Sequence, residues 1–183
     1  MLFRSRERTD EPPALTALIK VRRAGYTECM KNETLKTYLV NFFKCGAMGW
    51  CLEILFTSVD SIAASNWKLM GQTSLIMFPI YGLGALLLPI GQGVDAWLSG
   101  LPGFEGADAR RMPRFALTIR HGLLFMVLIF CAEYVTGSSL MHFGICPWDY
   151  SEFADNVNGV IRFHFAPLWF LTGLIFEHIT QRK

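Results

Sequence analysis

Long apolar runs almost free of charge constrain this chain more than any other feature. No Asp, Glu, Lys or Arg occurs between Lys68 and Asp95, or between Glu133 and Asp149. Soluble domains carry about 25% charged residues, whereas only 17% of these 183 residues are charged. Because a helix needs about 20 apolar residues to cross a bilayer, the pattern predicts a membrane protein.

The apolar runs predict an all-α membrane protein with four transmembrane helices arranged as two repeated helix pairs. A basic tail at 1–37 precedes a transmembrane domain at 38–178, and a short tail at 179–183 follows it. The predicted helices lie at about 38–59, 74–92, 115–140 and 159–178. Pro79 and Pro89 fall inside the second of them, so we expect it to be kinked and to face the bundle interior.

The placement of Lys and Arg predicts the orientation. Basic residues are frequent in the tail before the first helix, in the loop at 94–114 and at the C-terminus. The connection after the first helix has only Lys68, and the loop at 141–158 has neither Lys nor Arg. The positive-inside rule then places both termini in the cytoplasm. A net charge of +2 is too small to indicate a nucleic-acid partner.

The two halves of the chain echo each other, which suggests an internal duplication. The matching residues are Cys51, Glu53, Gly71, Pro79 and Tyr81 in the first half, and Cys131, Glu133, Gly159, Pro167 and Trp169 in the second. Because the repeating unit is a helix pair, the halves would be related by an axis along the membrane normal. Chance similarity between apolar segments is the alternative.

Ionisable residues inside a membrane are costly and are therefore candidates for function. The predicted polar pocket consists of Glu53, Tyr81, Glu133, Trp148, Asp149, Tyr150, Arg162, His164 and Trp169. The two glutamates would be either protonated or paired with Arg162, His164 or Lys44. Arg162 is expected at the depth of Glu133, close enough to pair with it. The pocket would hold a substrate, an ion or a lipid headgroup; the alternatives are a salt bridge that only fixes helix packing and an Arg162 that reaches the interface. The Trp148–Ser151 string would cap the pocket from outside or anchor the chain at the interface.

Three strings carry a resemblance to a known family: PIYGLGALL at 79–87, CPWDYS at 146–151 and NGVIRFHFAPLW at 158–169. They resemble the ABC-transporter type IV permease family, which includes the transmembrane protein 229 group of animals. The resemblance covers roughly residues 38–178. A tryptophan–glutamate pair usual in that family is matched approximately, because Cys51 and Leu52 separate Trp50 from Glu53. The resemblance implies a small multi-pass membrane protein and adds support for transport.

We therefore expect a permease-like transport subunit of unknown substrate, embedded in the lipid bilayer. Four helices are few for a transport path, so a homo-oligomer or a larger membrane complex is expected. The sequence has no GxxxxGK[ST] phosphate loop, so an ATPase would be a separate subunit. The alternatives are a lipid-binding or lipid-modifying protein and a structural partner of another membrane protein. The four histidines lack metal-ligand spacing, and no metal, cofactor or catalytic group is predicted.

Overall fold

The computed structural model describes the backbone of residues 13–63, 65–101 and 112–181. Side chains are described for residues 34–59, 62, 65–101 and 112–181. The chain divides into two compact units, Met1–Leu39 and Val40–Lys183. Most of the basic tail predicted at 1–37 lies outside the described side chains. The packed helices and the loops around the cavity belong to the second unit.

The described residues are mostly helical. The helices are α1 (Pro13–Ala63), α2 (Met77–Gly82), α3 (Leu87–Ser99), α4 (Arg114–His142) and α5 (Ala166–Gln181). A 3-10 segment at Leu83–Leu86 joins α2 to α3, and another at Phe163–Phe165 precedes α5. Strands β1 (Asn156–Val157) and β2 (Ile161–Arg162) form an antiparallel hairpin. In the part of the chain described, three helical stretches are long and apolar enough to cross a membrane: Thr34–Val59, Met77–Ser99 and Arg114–His142.

The outer faces of these helices are apolar, as a bilayer requires. Leu55, Val127, Val135 and Leu171 are 65%, 53%, 64% and 56% exposed. A protein in water rarely exposes a contiguous apolar surface of such extent. Together with the three apolar helices, these exposed side chains indicate an integral membrane protein.

The prediction of a helix at 159–178 is wrong for residues 159–165. α5 begins only at Ala166 and has 16 residues, or about 24 Å at 1.5 Å per residue, which is shorter than the hydrocarbon core of about 30 Å. Asn158 and Gly159 have φ of +52° and +71°, the turn that an Asn-Gly pair favours in a hairpin. Val160, Ile161 and Phe165 after this turn are buried in protein, with Val160 at 0% exposure. Hydropathy alone does not distinguish such a buried segment from a lipid-facing helix.

The region predicted as one kinked helix is instead α2 and α3 joined by the 3-10 segment. Pro79 is the third residue of α2, and Pro89 is the third residue of α3. A helix's first turn has no intrahelical partners for its N–H groups, so proline is tolerated there. The prolines therefore begin two successive helical pieces.

The core lies where α4 and α5 meet α1 and the 3-10 segment at Leu83–Leu86. Phe125 and Phe176 are 0% and 2% exposed, and Cys45, Ala85 and Leu87 complete the cluster. Small residues allow this approach, as in many membrane helix pairs. The close approaches are as follows: a Cβ added at Gly84 would lie 2.2 Å from Phe176 Cδ2, one at Gly122 would lie 2.3 Å from Phe170 Cε2, and one at Gly173 would lie 2.5 Å from Phe125 Cβ.

We predict that Gly173→Ala destabilises the protein by about 1–3 kcal/mol, the usual cost of overpacking a core. Phe125 Cβ is fixed to the α4 backbone, so it cannot turn away from the added methyl. Gly93→Ala on α3 is the matched control, because nothing lies within 4 Å of its added Cβ. Thermal unfolding in detergent measures both variants. Equal melting temperatures for the two would show that contact at Gly173 does not limit stability.

Candidate functional site

A cavity of about 630 Å³ opens among the helices and the loop before α5. It lies at the loop end, where segments 65–76 and 143–165 connect the helices. Leu87, Thr172 and Phe176 form its buried inner wall, while exposed Gln72 and His164 line its mouth. The predicted site residues that line it are Glu53, Tyr81, Glu133, Trp148, Tyr150, Arg162, His164 and Trp169.

Glu133 on α4 is the most deeply buried acid of this cavity, at 9% exposure. Its Oε2 accepts a hydrogen bond of 3.1 Å from Trp169 Nε1 on α5. No cation among the described residues forms an ion pair with it. The expected pairing of Arg162 with Glu133 is therefore wrong. The reason is that Arg162 belongs to β2 rather than to a membrane helix, and a nearer acid in the same loop binds it.

That nearer acid is Asp155. Its Oδ1 accepts a hydrogen bond of 3.2 Å from Arg162 Nε, and its Oδ2 accepts one of 3.0 Å from the His164 backbone N–H. Desolvation alone would raise the pKa of Asp155, but these hydrogen bonds and the Arg162 charge hold it below its usual range. The guanidinium also lies 3.6 Å above the Phe153 ring. Arg162 thus has its charge balanced at the cavity mouth.

Glu53 on α1 is the second acid of the cavity. Thr73 Oγ1 donates a hydrogen bond of 2.6 Å to Glu53 Oε2, and Tyr81 lines the same cavity as Glu53. Glu53 and Glu133 are therefore both held by neutral donors. Tyr81 lies two residues after Pro79, and Trp169 lies two residues after Pro167, so an aromatic residue occupies the equivalent position in each half.

The connection between α1 and α2 is bound to one face of α1. Trp50, Glu53 and Thr57 follow the spacing that places residues on the same side of a helix. Trp50 Nε1 donates to the Ser74 carbonyl at 2.9 Å. Thr57 Oγ1 donates to the Gln72 carbonyl at 3.0 Å and accepts from the Gln72 N–H at 2.8 Å. These bonds fix the segment that carries Thr73 against Glu53.

The string at 146–151 holds the hairpin in place. Trp148 Nε1 donates to the Val160 carbonyl at 3.0 Å, and the Tyr150 N–H donates to the Gly159 carbonyl at 2.8 Å. Burial, followed by the charges of Glu133 and Glu53, raises the pKa of Tyr150, so its phenol is neutral.

Asp149 does not line the cavity. Its Oδ1 accepts hydrogen bonds from the Ser151 N–H at 2.9 Å and from Ser151 Oγ at 2.6 Å. These two bonds hold the pKa of Asp149 below its usual range. A carboxylate that bonds the backbone two residues ahead is a turn former. The carboxylate predicted for the pocket therefore shapes the loop.

A group of charged residues lies at the end of the helices opposite the cavity mouth. The sequence patterns did not predict this group. This charged end is where α3 and α5 finish and α4 begins. Asp95 accepts a hydrogen bond from Arg120 and lies 3.0 Å from His121 Nε2. His121 Nδ1 lies 2.6 Å from Glu177 Oε1. These contacts tie α3, α4 and α5 together. The signal in the sequence is that three apolar runs carry charged residues at the same depth.

The family described as "Putative ABC-transporter type IV" matches residues 40–183. The chain belongs to this family. The matched region contains the whole cavity, the hairpin and the charged end. No solved structure matches the chain. Family membership and the apolar helices together fit an integral membrane protein of a transport type.

We predict that Asp155→Asn lowers the melting temperature at neutral pH, because it breaks the ion pair that holds residues 162–164. The folded-state pKa of Asp155 is lowered, so its contribution is present above the unfolded value and is lost as pH falls. The difference from wild type should therefore shrink below about pH 4. Glu152→Gln, at an exposed position of the same loop, is the control. A difference that persists unchanged at pH 3 would contradict the ion-pair explanation.

Proposed function

We propose that this chain is a permease-like transport subunit whose substrate binds between Glu53 and Glu133. The observation that carries the proposal is that two carboxylates on different helices line one cavity, and that within the described part of the chain they accept hydrogen bonds from neutral donors and form no ion pair. A salt bridge that merely fixes packing would pair each acid with a cation. A substrate site instead keeps polar groups available in a largely apolar cavity.

The proposal includes a four-helix arrangement in two repeated pairs, with α5 as the short member of the second pair. Its support is that Tyr81 and Trp169, each two residues after a proline, line the same cavity as Glu53 and Glu133. A duplication that preserved only hydropathy would have no reason to preserve an aromatic residue with a polar group at this position in each half. The two acids would then face each other across an axis along the membrane normal.

Both termini are proposed to lie in the cytoplasm, so the cavity mouth faces the other side. The contacts of His121 with Asp95 and Glu177 would then close the cytoplasmic end. An ATPase of the ATP-binding-cassette type is proposed as a separate subunit, and a homo-oligomer or larger complex would complete the path. Family membership supports such an ATPase partner.

A lipid-binding or lipid-modifying protein is the second candidate, and one observation favours it. Leu83 lines the cavity and is 45% exposed. Met77 and Ile80 add to this apolar side of the cavity lining. An acyl chain could enter past Leu83 while its headgroup occupied the polar mouth.

Access from both sides of the membrane separates transport from lipid binding. Thr172 lies on the inner wall of the cavity, so we introduce Thr172→Cys into a variant that lacks the native cysteines. In sealed native-membrane vesicles of either orientation, an impermeant thiol reagent should label this cysteine from both faces. Labelling from the loop face alone would contradict the transport proposal and favour the lipid-binding protein.

The orientation has its own test. Burial raises the pKa of Cys146, so its thiol reacts slowly and Glu152→Cys is the better reporter. In intact cells, Glu152→Cys should react with an impermeant thiol reagent, whereas a variant that retains only Cys29 should react after permeabilisation. The reverse pattern would place the termini outside.

A further inference from the structure

The cavity combines acid groups with aromatic walls. Phe56 and Phe165 meet edge to face with ring centroids 4.8 Å apart, and Tyr150 meets Phe165 at 5.3 Å. Trp148 and Trp169 add two further rings to the lining. Aromatic faces attract cations through their quadrupoles, and such cages are a common way to bind quaternary ammonium groups.

Glu133 supplies an independent observation. It is nine-tenths buried, and among the described residues the only hydrogen bond of its carboxylate is the one that Oε2 accepts from Trp169. Oε1 is left for a ligand, and an ionised carboxylate in an apolar site is costly until a cation approaches it. Tyr81 and Tyr150 both lie within electrostatic range of Glu53 and Glu133. The two acids therefore act on the same part of the cavity.

Arg162 does not neutralise the negative charge that Glu53 and Glu133 bring to the cavity. Its charge is balanced by Asp155, and its guanidinium lies 3.6 Å from the centroid of the Phe153 ring and 5.3 Å from that of Phe165. Asp155 itself is not a lining residue. The lining therefore carries two acids against one arginine whose charge is already matched outside the cavity.

We propose that the cavity binds an organic cation: an amine or quaternary ammonium group near Glu53 and Glu133, with an apolar body against the aromatic wall. The volume of about 630 Å³ is in the range that holds an organic molecule of moderate size. This inference rests on the proposed function, because it names the substrate class of the same site. The cation is a free solute or the ammonium headgroup of a lipid.

Two probes of matched shape and opposite charge test the proposal. Tetraphenylphosphonium and tetraphenylborate both partition into detergent, so a difference between them reports the charge of the site. Equilibrium dialysis against the purified full chain should show saturable binding of tetraphenylphosphonium, at least tenfold tighter than that of tetraphenylborate. Equal affinities, or tighter binding of the anion, would overturn the inference.

Variants locate the bound cation. Glu133→Gln keeps an acceptor for Trp169 and removes the charge, so affinity for tetraphenylphosphonium should fall at least tenfold. Glu53→Gln should act in the same direction, and Glu152→Gln, exposed in the loop, should change nothing. Full affinity in both cavity variants would also overturn the inference. If neither variant folds, the comparison of the two probes on wild type decides.

Competition identifies the source of the cation and keeps this test separate from that of transport. Displacement of tetraphenylphosphonium by benzyltrimethylammonium supports a free solute, whereas displacement only by short-chain phosphatidylcholine supports a lipid headgroup. Labelling of Thr172→Cys from both faces without cation binding would leave transport standing and refute the substrate class. Cation binding with labelling from the loop face alone would refute transport and leave the cation-binding site standing.

Discussion

The buried carboxylate of Glu133 is the constraint on which the rest of this architecture depends. A polar group in an apolar layer requires a partner, and the partner here is the indole of Trp169. That tryptophan is the fourth residue of α5, so the start of α5 must lie at the depth of Glu133. The hairpin, which a hydrogen bond from Trp148 holds in place, leads the chain to the start of α5 at the depth of Glu133. The shortness of α5 therefore follows from where it has to begin.

The two ends of the helices deal with charge in opposite ways. At the charged end, Asp95 has a cationic partner in Arg120, and His121 joins it to Glu177. At the loop end, the cavity acids have neutral donors. Phe125 and Phe176 form an apolar layer between the two. For the proposed transport, a path must open through this layer, and the contacts of His121 must change with it.

The sequence was informative about composition and spacing, and less so about backbone direction. Runs without charge predict the apolar helices, and the polar pocket predicted from the sequence includes both Glu133 and Trp169. Val160, Ile161 and Phe165 cannot be told from part of a membrane helix by hydropathy, because burial in protein and burial in lipid select the same apolar side chains. The Asn158–Gly159 pair was the available signal for a turn. The partner of Arg162 could not be predicted while it was assigned to a helix, since a hairpin brings Asp155 closer than Glu133.

The two halves of the chain each place one acid in the cavity, but the surroundings of Glu53 and Glu133 differ. The two acids therefore have different roles. Glu53 accepts a hydrogen bond from Thr73, and Thr73 belongs to a segment that Trp50 and Thr57 bind to α1. Glu53 thus helps to hold the connection before α2. Glu133 accepts its hydrogen bond from Trp169 and is more deeply buried. Because a more deeply buried carboxylate gains more from an approaching cation, Glu133 is the acid whose charge should dominate binding, while Glu53 serves both the fold and the site.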